Sequence, residues 1–449
     1  MSFSKDFIWG AASAAYQVEG AYNEDGRGLS IWDVHSKKAG NVRFSETGEV
    51  ACDHYHRYKE DIALFKQIGL KAYRFSISWT RILPDGTGKI NEKGLKFYSD
   101  LVDELIEAGI EPFVTLHHWD FPYELYRKGG WLNDESPLWF EEYTKIVVDA
   151  LSDRVRYWMT INEPQCIIGN GYQFAAHAPF LATCDKDMII MSHNILRAHG
   201  RAVKCIRQYA KQKPLVSFVP MCPVYIPENA SKEAIEQARK DSMSMLQTKF
   251  YSITWWSDPV YLGKYPDEAY ELFGDDMINP SKEDMELISQ PLDFYATNLY
   301  FSRGIRQPNQ YASNEYQGIG RNSMNWVVDE RVMYWAAKFL YERYGKPILV
   351  AENGFCDLDW IDRNGKICDM KRIDYIARYV KSFMEAADEG IPVMGYLYWS
   401  STDNFEWAEG YDKRFGLIYV DYKTQERTIK ESGHWYKALI ESNGEILNQ

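Results

Sequence analysis

Ile348-Leu349-Val350-Ala351-Glu352-Asn353-Gly354 is an apolar run that carries a carboxylate to its end, followed by a glycine that tolerates the backbone angles of a tight turn. It reads as a strand, and it is one of eight. Short apolar runs recur at 8–12, 72–78, 112–117, 157–162, 215–219, 294–298, 348–351 and 393–399. Between them lie amphipathic stretches such as 58–68, 93–108, 192–210 and 373–389, with apolar residues at helical spacing. Gly69, Gly109, Gly345 and Gly390 follow four helices where a left-handed cap is wanted. Strands alternating with helices from end to end predict a parallel sheet, and eight such units predict an α/β fold, a single-domain (β/α)8 TIM barrel over residues 1–449. No Pro/Gly/Ser-rich linker, charge block or repeat of solenoid length divides the chain. The irregular stretch 297–329, rich in Asn, Gln, Ser and Gly, falls after a strand, which places it at the C-terminal face where barrel enzymes keep their active sites.

Composition narrows the partners. A formal net charge of −13 disfavours nucleic acid, because phosphate binding needs clustered Lys and Arg. No stretch approaches the length of a membrane span, and Met-Ser-Phe-Ser-Lys-Asp-Phe-Ile-Trp-Gly lacks the apolar run and cleavage site of a signal peptide. The seven cysteines, odd in number and without a Cys-x-x-Cys pair, predict free thiols in a reducing compartment, the cytoplasm, with neither a zinc site nor a disulfide framework. No cofactor or metal is expected, and a homo-oligomer is left open. The aromatic share of 15% offers flat faces that suit sugar rings and equally a bulky core.

Two clusters carry chemistry. Thr160-Ile161-Asn162-Glu163-Pro164 closes the fourth candidate strand as Glu352 closes the seventh. A carboxylate at the end of a barrel strand points into the mouth, where burial and neighbouring charge raise its affinity for a proton. Taken alone, such a Glu is as often a loop-ordering residue. As a pair, strands four and seven lie on roughly opposite sides of the mouth. Glycoside hydrolysis needs two carboxylates so placed, one to protonate the leaving oxygen and one to attack or to activate water. Retention or inversion depends on their separation, which sequence does not measure.

Further motifs follow in order: Phe7-Ile8-Trp9-Gly10-Ala11-Ala12-Ser13-Ala14-Ala15-Tyr16-Gln17-Val18-Glu19-Gly20, Tyr73-Arg74-Phe75-Ser76-Ile77-Ser78-Trp79, His117-His118-Trp119-Asp120 and Asn404-Phe405-Glu406-Trp407. Together with the Glu163 and Glu352 clusters, they make the chain resemble glycoside hydrolase family 1, the β-glucosidases and β-galactosidases, over essentially its whole length. The resemblance implies a retaining β-glucosidase acting on a small-molecule β-glycoside, with Glu352 as nucleophile and Glu163 as general acid/base. It assigns support to Arg74, Asn162 and Tyr300, and substrate contacts to Gln17, His118, Trp119, Asn298, Trp326, Trp399, Glu406 and Trp407. Outside the resemblance, Arg74 reads as a structural ion-pair residue.

Family members that take 6-phosphorylated sugars carry Ser and Lys in the loop where this chain has Glu406, and a carboxylate there repels a phosphate. An unphosphorylated sugar is expected, with a 6-phospho-β-glycosidase as the rival enzyme. Beyond Glu163, Cys166, Asn170, Tyr172 and His177 are expected on the leaving-group side. There the chain departs from the usual Gly-x-His-Ala-Pro-Gly: it has Ala175-Ala176-His177-Ala178-Pro179-Phe180. A catalytically inactive sugar-binding barrel is the reading from another class, and loss of either carboxylate would be its mark. A metal site on His117 and His118 is disfavoured, since neighbours on a strand point to opposite faces.

Overall fold

The chain folds as a (β/α)8 barrel in a computed structural model that describes residues 3–304 and 318–448. Residues 305–317 of the predicted irregular stretch lie outside the described residues. The barrel strands are β1 (Ile8–Ala12), β2 (Ala72–Ser76), β3 (Glu111–His117), β4 (Tyr157–Asn162), β5 (Leu215–Val219), β6 (Tyr295–Asn298), β7 (Ile348–Asn353) and β8 (Val393–Trp399). They pair in parallel in the order β5-β4-β3-β2-β1-β8-β7-β6. Between β5 and β6 the seam is held by backbone bonds, Asp293 N to Val216 O at 3.0 Å and Asn298 N to Pro220 O at 3.2 Å. The Ser217 hydroxyl reinforces it, donating to Phe294 O at 2.9 Å and accepting from Ala296 N at 3.0 Å.

All eight expected strands are present, with four shifts of boundary. β3 begins one residue early, at Glu111, and β6 one residue late, at Tyr295. β2 stops at Ser76, while β7 continues through Glu352 and Asn353. The helix expected at 192–210 begins earlier, at Asp185, because Asp185 and Asp187 in its first turn complement the helix dipole. Gly69 and Gly345 cap their helices at φ 83° and 64°, as expected. Gly354 is needed for a different reason than the predicted turn angle. A Cβ there would lie 1.7 Å from the carbonyl oxygen of Trp399, so close approach of β8 excludes any side chain.

Inside the barrel, Ala72, Phe113, Met159, Phe294, Leu349 and Leu397 pack as a buried plug. The far larger core lies between the strands and the surrounding helices. With the interior filled below, open space remains only at the C-terminal ends of the strands. Both carboxylate-bearing strands are irregular there. Along β4 the pairing slips between Met159↔Ser217 and Asn162↔Val219, and along β7 between Thr297↔Val350 and Asn298↔Glu352. Each slip leaves one additional residue on the carboxylate strand, as in a β-bulge. Among the described residues, no helix is long and apolar enough to cross a membrane.

Candidate active site

Arg74 organises the centre of the mouth. It projects from β2 with no exposed surface and uses its whole guanidinium. Nη1 donates to Glu352 Oε1 at 2.6 Å, Nη2 to Asn162 Oδ1 at 2.7 Å, and Nε to Thr115 Oγ1 at 2.9 Å. The Tyr300 hydroxyl donates to the second oxygen of Glu352 at 2.7 Å. Glu163, at the end of β4, has no cation in contact among the described residues. Asn298 Nδ2 donates to its Oε1 at 2.7 Å and the Cys166 thiol to its Oε2 at 3.1 Å.

These surroundings separate the two acids. Burial, and then the charge of Glu352, push the Glu163 carboxyl up to about 7. Burial also raises Glu352, but the Arg74 guanidinium and the Tyr300 and Asn298 donors pull it back. Two like charges in one water-poor pocket do not both persist near neutrality, so the pair holds one proton, on the member without a cation.

The remaining predicted residues gather around this pair. His118, Trp119, Tyr300, Trp326, Trp399, Glu406 and Trp407 line, with both carboxyls, a cavity of about 270 Å³. Arg74, Asn162, Asn298 and Gln17 stand behind that wall and orient it. Arg74 donating to Asn162 Oδ1 fixes which way the amide points, so Asn162 Nδ2 donates to His118 Nε2 at 3.1 Å. Burial holds His118 well below its usual range, leaving a neutral ring whose proton sits on Nδ1, which has no protein partner. Gln17 Nε2 reaches Glu406 at 3.2 Å, while its Oε1 is buried without a protein partner. His117 points the other way, into the aromatic layer of Trp79, Phe121 and Trp131, so the neighbouring histidines do face opposite sides.

Some placements sharpen or change the expectations. Asn298 bonds Glu163 and Asn162, which makes it a partner of the acid. Burial and the Glu352 charge push Glu406 up to about 8, so at neutral pH it is mostly a neutral acid that donates as well as accepts. Charge repulsion is therefore a weak barrier to a phosphate. The stronger one is that no Lys or Arg is among the described residues lining the cavity. Cys166, Asn170 and His177 line the cavity, whereas Tyr172 borders a void of about 20 Å³ with His117 and Trp131. Sequence reading missed Met221, Tyr251, Phe301, Met324, Glu409 and Phe415 on the outer wall, since none sits in a recognisable motif.

Three residues of the cavity wall carry backbone strain: Glu163, Trp119 and Trp407 adopt φ of 38°, 78° and 48°, a region that disfavours side chains. Ala175 and Phe180, where glycines are usual, also lie at positive φ, 49° and 57°. A roomier cleft of about 710 Å³ lies elsewhere, by helices Lys232–Met243 and Arg331–Tyr344. Among its charges, Arg239 pairs with Glu342 and Arg343 with Asp258.

Comparison with known proteins agrees with this geometry. The model for glycosyl hydrolase family 1 matches residues 1–445. The chain belongs to that family. It is a glycoside hydrolase. Among family 1 relatives, it is 44% identical to beta-glucosidase A of Acetivibrio thermocellus, covering 99% of each chain. It is 40% identical to beta-glucosidase A of Thermotoga maritima, covering 98% of each. A solved structure of the Thermotoga maritima beta-glucosidase in complex with castanospermine superimposes with a TM-score of 0.91 at 41% identity, covering 99% of each chain. The expected barrel, family and enzyme class are thereby borne out.

Proposed function

We propose that this family 1 enzyme is a retaining β-glucosidase that releases terminal, unphosphorylated β-glucosyl residues from small-molecule glycosides. The carrying observation is the asymmetry of the two carboxyls: Glu352 has Arg74 at 2.6 Å, and Glu163 has no cation in contact among the described residues. In the first step, Glu352 attacks the anomeric carbon as the glycosidic C–O bond breaks, and Glu163 gives its proton to the departing oxygen. In the second, a water attacks the glycosyl–Glu352 ester, Glu163 takes the water's proton, and Glu352 leaves as a carboxylate. Each step restores the protonation state that the other needs.

Asn162 is held in place by Arg74 to meet the sugar 2-hydroxyl, a contact that strengthens in the transition state. Gln17, His118 and Glu406 supply the free donors and acceptors for the other hydroxyls, with Trp399 as an apolar floor. Relatives and structural neighbours named beta-glucosidases support the glucosyl assignment. The chain works as one barrel domain. Its seven unpaired cysteines, five of them buried, suit a reducing cytoplasm.

The deciding experiment is Glu352→Gly assayed with nitrophenyl β-glucoside. Hydrolysis is lost and partly restored by azide or formate, which take the place of the missing carboxylate. Full activity without the added anion overturns the assignment.

A further inference from the structure

We infer that Cys166 is a positioning residue for the acid/base carboxyl, fixing the transferable proton on one oxygen of Glu163 and keeping it loosely held. The inference rests on the role given to Glu163 above.

The argument starts from the two partners of that carboxyl. Asn298 Nδ2 can only donate, so Glu163 Oε1 must accept whether the acid is protonated or not. A carbonyl oxygen accepts that bond better than a hydroxyl oxygen does, so the proton favours Oε2. The partner of Oε2 is the Cys166 thiol at 3.1 Å. A thiol is a weak donor and a weak acceptor. It steadies the ionised oxygen after proton transfer, yet competes little with the glycosidic oxygen for the proton beforehand. A serine hydroxyl would do both more strongly, and an aliphatic side chain would do neither.

Local structure holds the thiol there. The π-helical segment Cys166–Gln173 begins three residues after Glu163, and Cys166 N donates to Glu163 O at 2.9 Å, folding the side chain back over the carboxyl. The Tyr251 hydroxyl donates to Asn170 Oδ1 and lies beside the thiol. The Tyr251 ring comes so near Gly169 that a Cβ there would lie 2.0 Å from it. Burial keeps Cys166 a thiol, so its proton remains available for donation. The other groups around Glu163 are Glu352 on β7, Arg74 on β2, Asn298 on β6, and Tyr251, Tyr300 and Glu406 from the loops. None of them occupies the contact with Oε2 that the thiol makes.

The test compares Cys166→Val and Cys166→Ser with the wild type. The readout is the pH dependence of kcat/KM for nitrophenyl β-glucoside and for an alkyl β-glucoside with a poor leaving group. The alkaline limb of kcat/KM reports the free-enzyme acid. Removing the donor in Cys166→Val moves that limb to higher pH, and strengthening it in Cys166→Ser moves it lower, each by roughly half a unit to one unit. Both variants lose more on the alkyl glucoside than on the nitrophenyl glucoside. Limbs that stay in place, or that move together in one direction as a packing change would make them, overturn the inference. Cys166→Ala carries the same expectation as Cys166→Val should the valine variant not fold. A wild type without glycosidase activity refutes the proposed function, whereas an active wild type with unmoved variants refutes this inference alone.

Discussion

Arg74→Met removes the cation that separates the two carboxyls. In the intact site one proton is shared between Glu163 and Glu352, and it rests on Glu163 because Arg74 stands 2.6 Å from Glu352. Without the guanidinium, Glu352 is a buried carboxylate supported only by neutral donors. Leaving one member of a buried ion pair uncompensated costs roughly 3–5 kcal/mol. At about 1.4 kcal/mol per tenfold, that strain is worth on the order of 10²- to 10³-fold in the protonation equilibrium. The proton relocates to Glu352, giving a site with no nucleophile and no acid. Raising the pH does not rescue it, because conditions that ionise Glu352 also ionise Glu163. The expected result is a fall in kcat/KM for nitrophenyl β-glucoside of roughly 10²- to 10³-fold with a flattened pH profile. Arg74→Lys keeps a charge but cannot reach Glu352, Asn162 and Thr115 together, so it falls between the two. Circular dichroism and thermal melts establish that both variants are folded. An Arg74→Met enzyme that regains wild-type kcat/KM at some pH would show that Arg74 does not place the proton.

Three further predictions concern stability. Glu163 binds its proton more tightly in the fold, at about 7, than at its ordinary value of 4.5. Between those values the folded state holds more protons than the unfolded one, so stability falls as pH rises through the window, by about 3 kcal/mol in all. Glu163→Gln stays neutral and should melt above the wild type on the alkaline side of the window; parallel melting curves across it contradict the assignment. At Ala175, φ 49° strains an alanine, so Ala175→Gly should gain about 0.5–1 kcal/mol net of the glycine's added unfolded entropy. Phe180→Gly should gain less, since the ring's edge contact with Trp32 at 5.9 Å is lost. Denaturant titration checks both, and an Ala175→Gly protein less stable than the parent refutes the strain argument.

Much of this was legible in the sequence because it depends on residue type and order. Eight apolar runs between amphipathic stretches specify a parallel barrel, and a Glu at the end of a strand is delivered to the height of its mouth, though not to a given face. The carboxyls could be picked out as candidates in that way, whereas Trp119, Trp399 and Trp407 were named from the resemblance to family 1. What stayed hidden depends on where separate segments meet. Tyr251 begins no motif, yet it reaches Asn170 and the Cys166 thiol. Gly354 suggests a turn by its type, while the constraint on it comes from a carbonyl on β8, 45 residues away in sequence. Asn298, expected against the substrate from the resemblance, instead has its amide on Glu163.

Side-chain parity shows most clearly why placing the carboxyls needed coordinates. Successive residues of a strand face opposite sides. On β7, Leu349 and Ala351 both pack inside the barrel, so unbroken alternation would turn Glu352 outward and Asn353 inward. The structure has the reverse: Glu352 meets Arg74 in the mouth, and Asn353 bonds Tyr375 and Tyr396 outside. β4 repeats the pattern. Tyr157 and Met159 pack with the interior, Thr160 bonds His199 of the helix Asp185–Tyr209, Ile161 joins the outer core, and Asn162 points in to Arg74. In each strand the additional residue resets the phase just before the functional group. A bulge of this kind disrupts the pairing locally and re-aims one side chain. That both carboxylate strands carry one, each toward its C-terminal end, ties the irregularities to the site: the regular barrel supplies the rigid frame, one departure turns Glu352 inward, the other turns Asn162 inward, and the turn at Glu163, φ 38°, presents the second carboxyl to the same pocket.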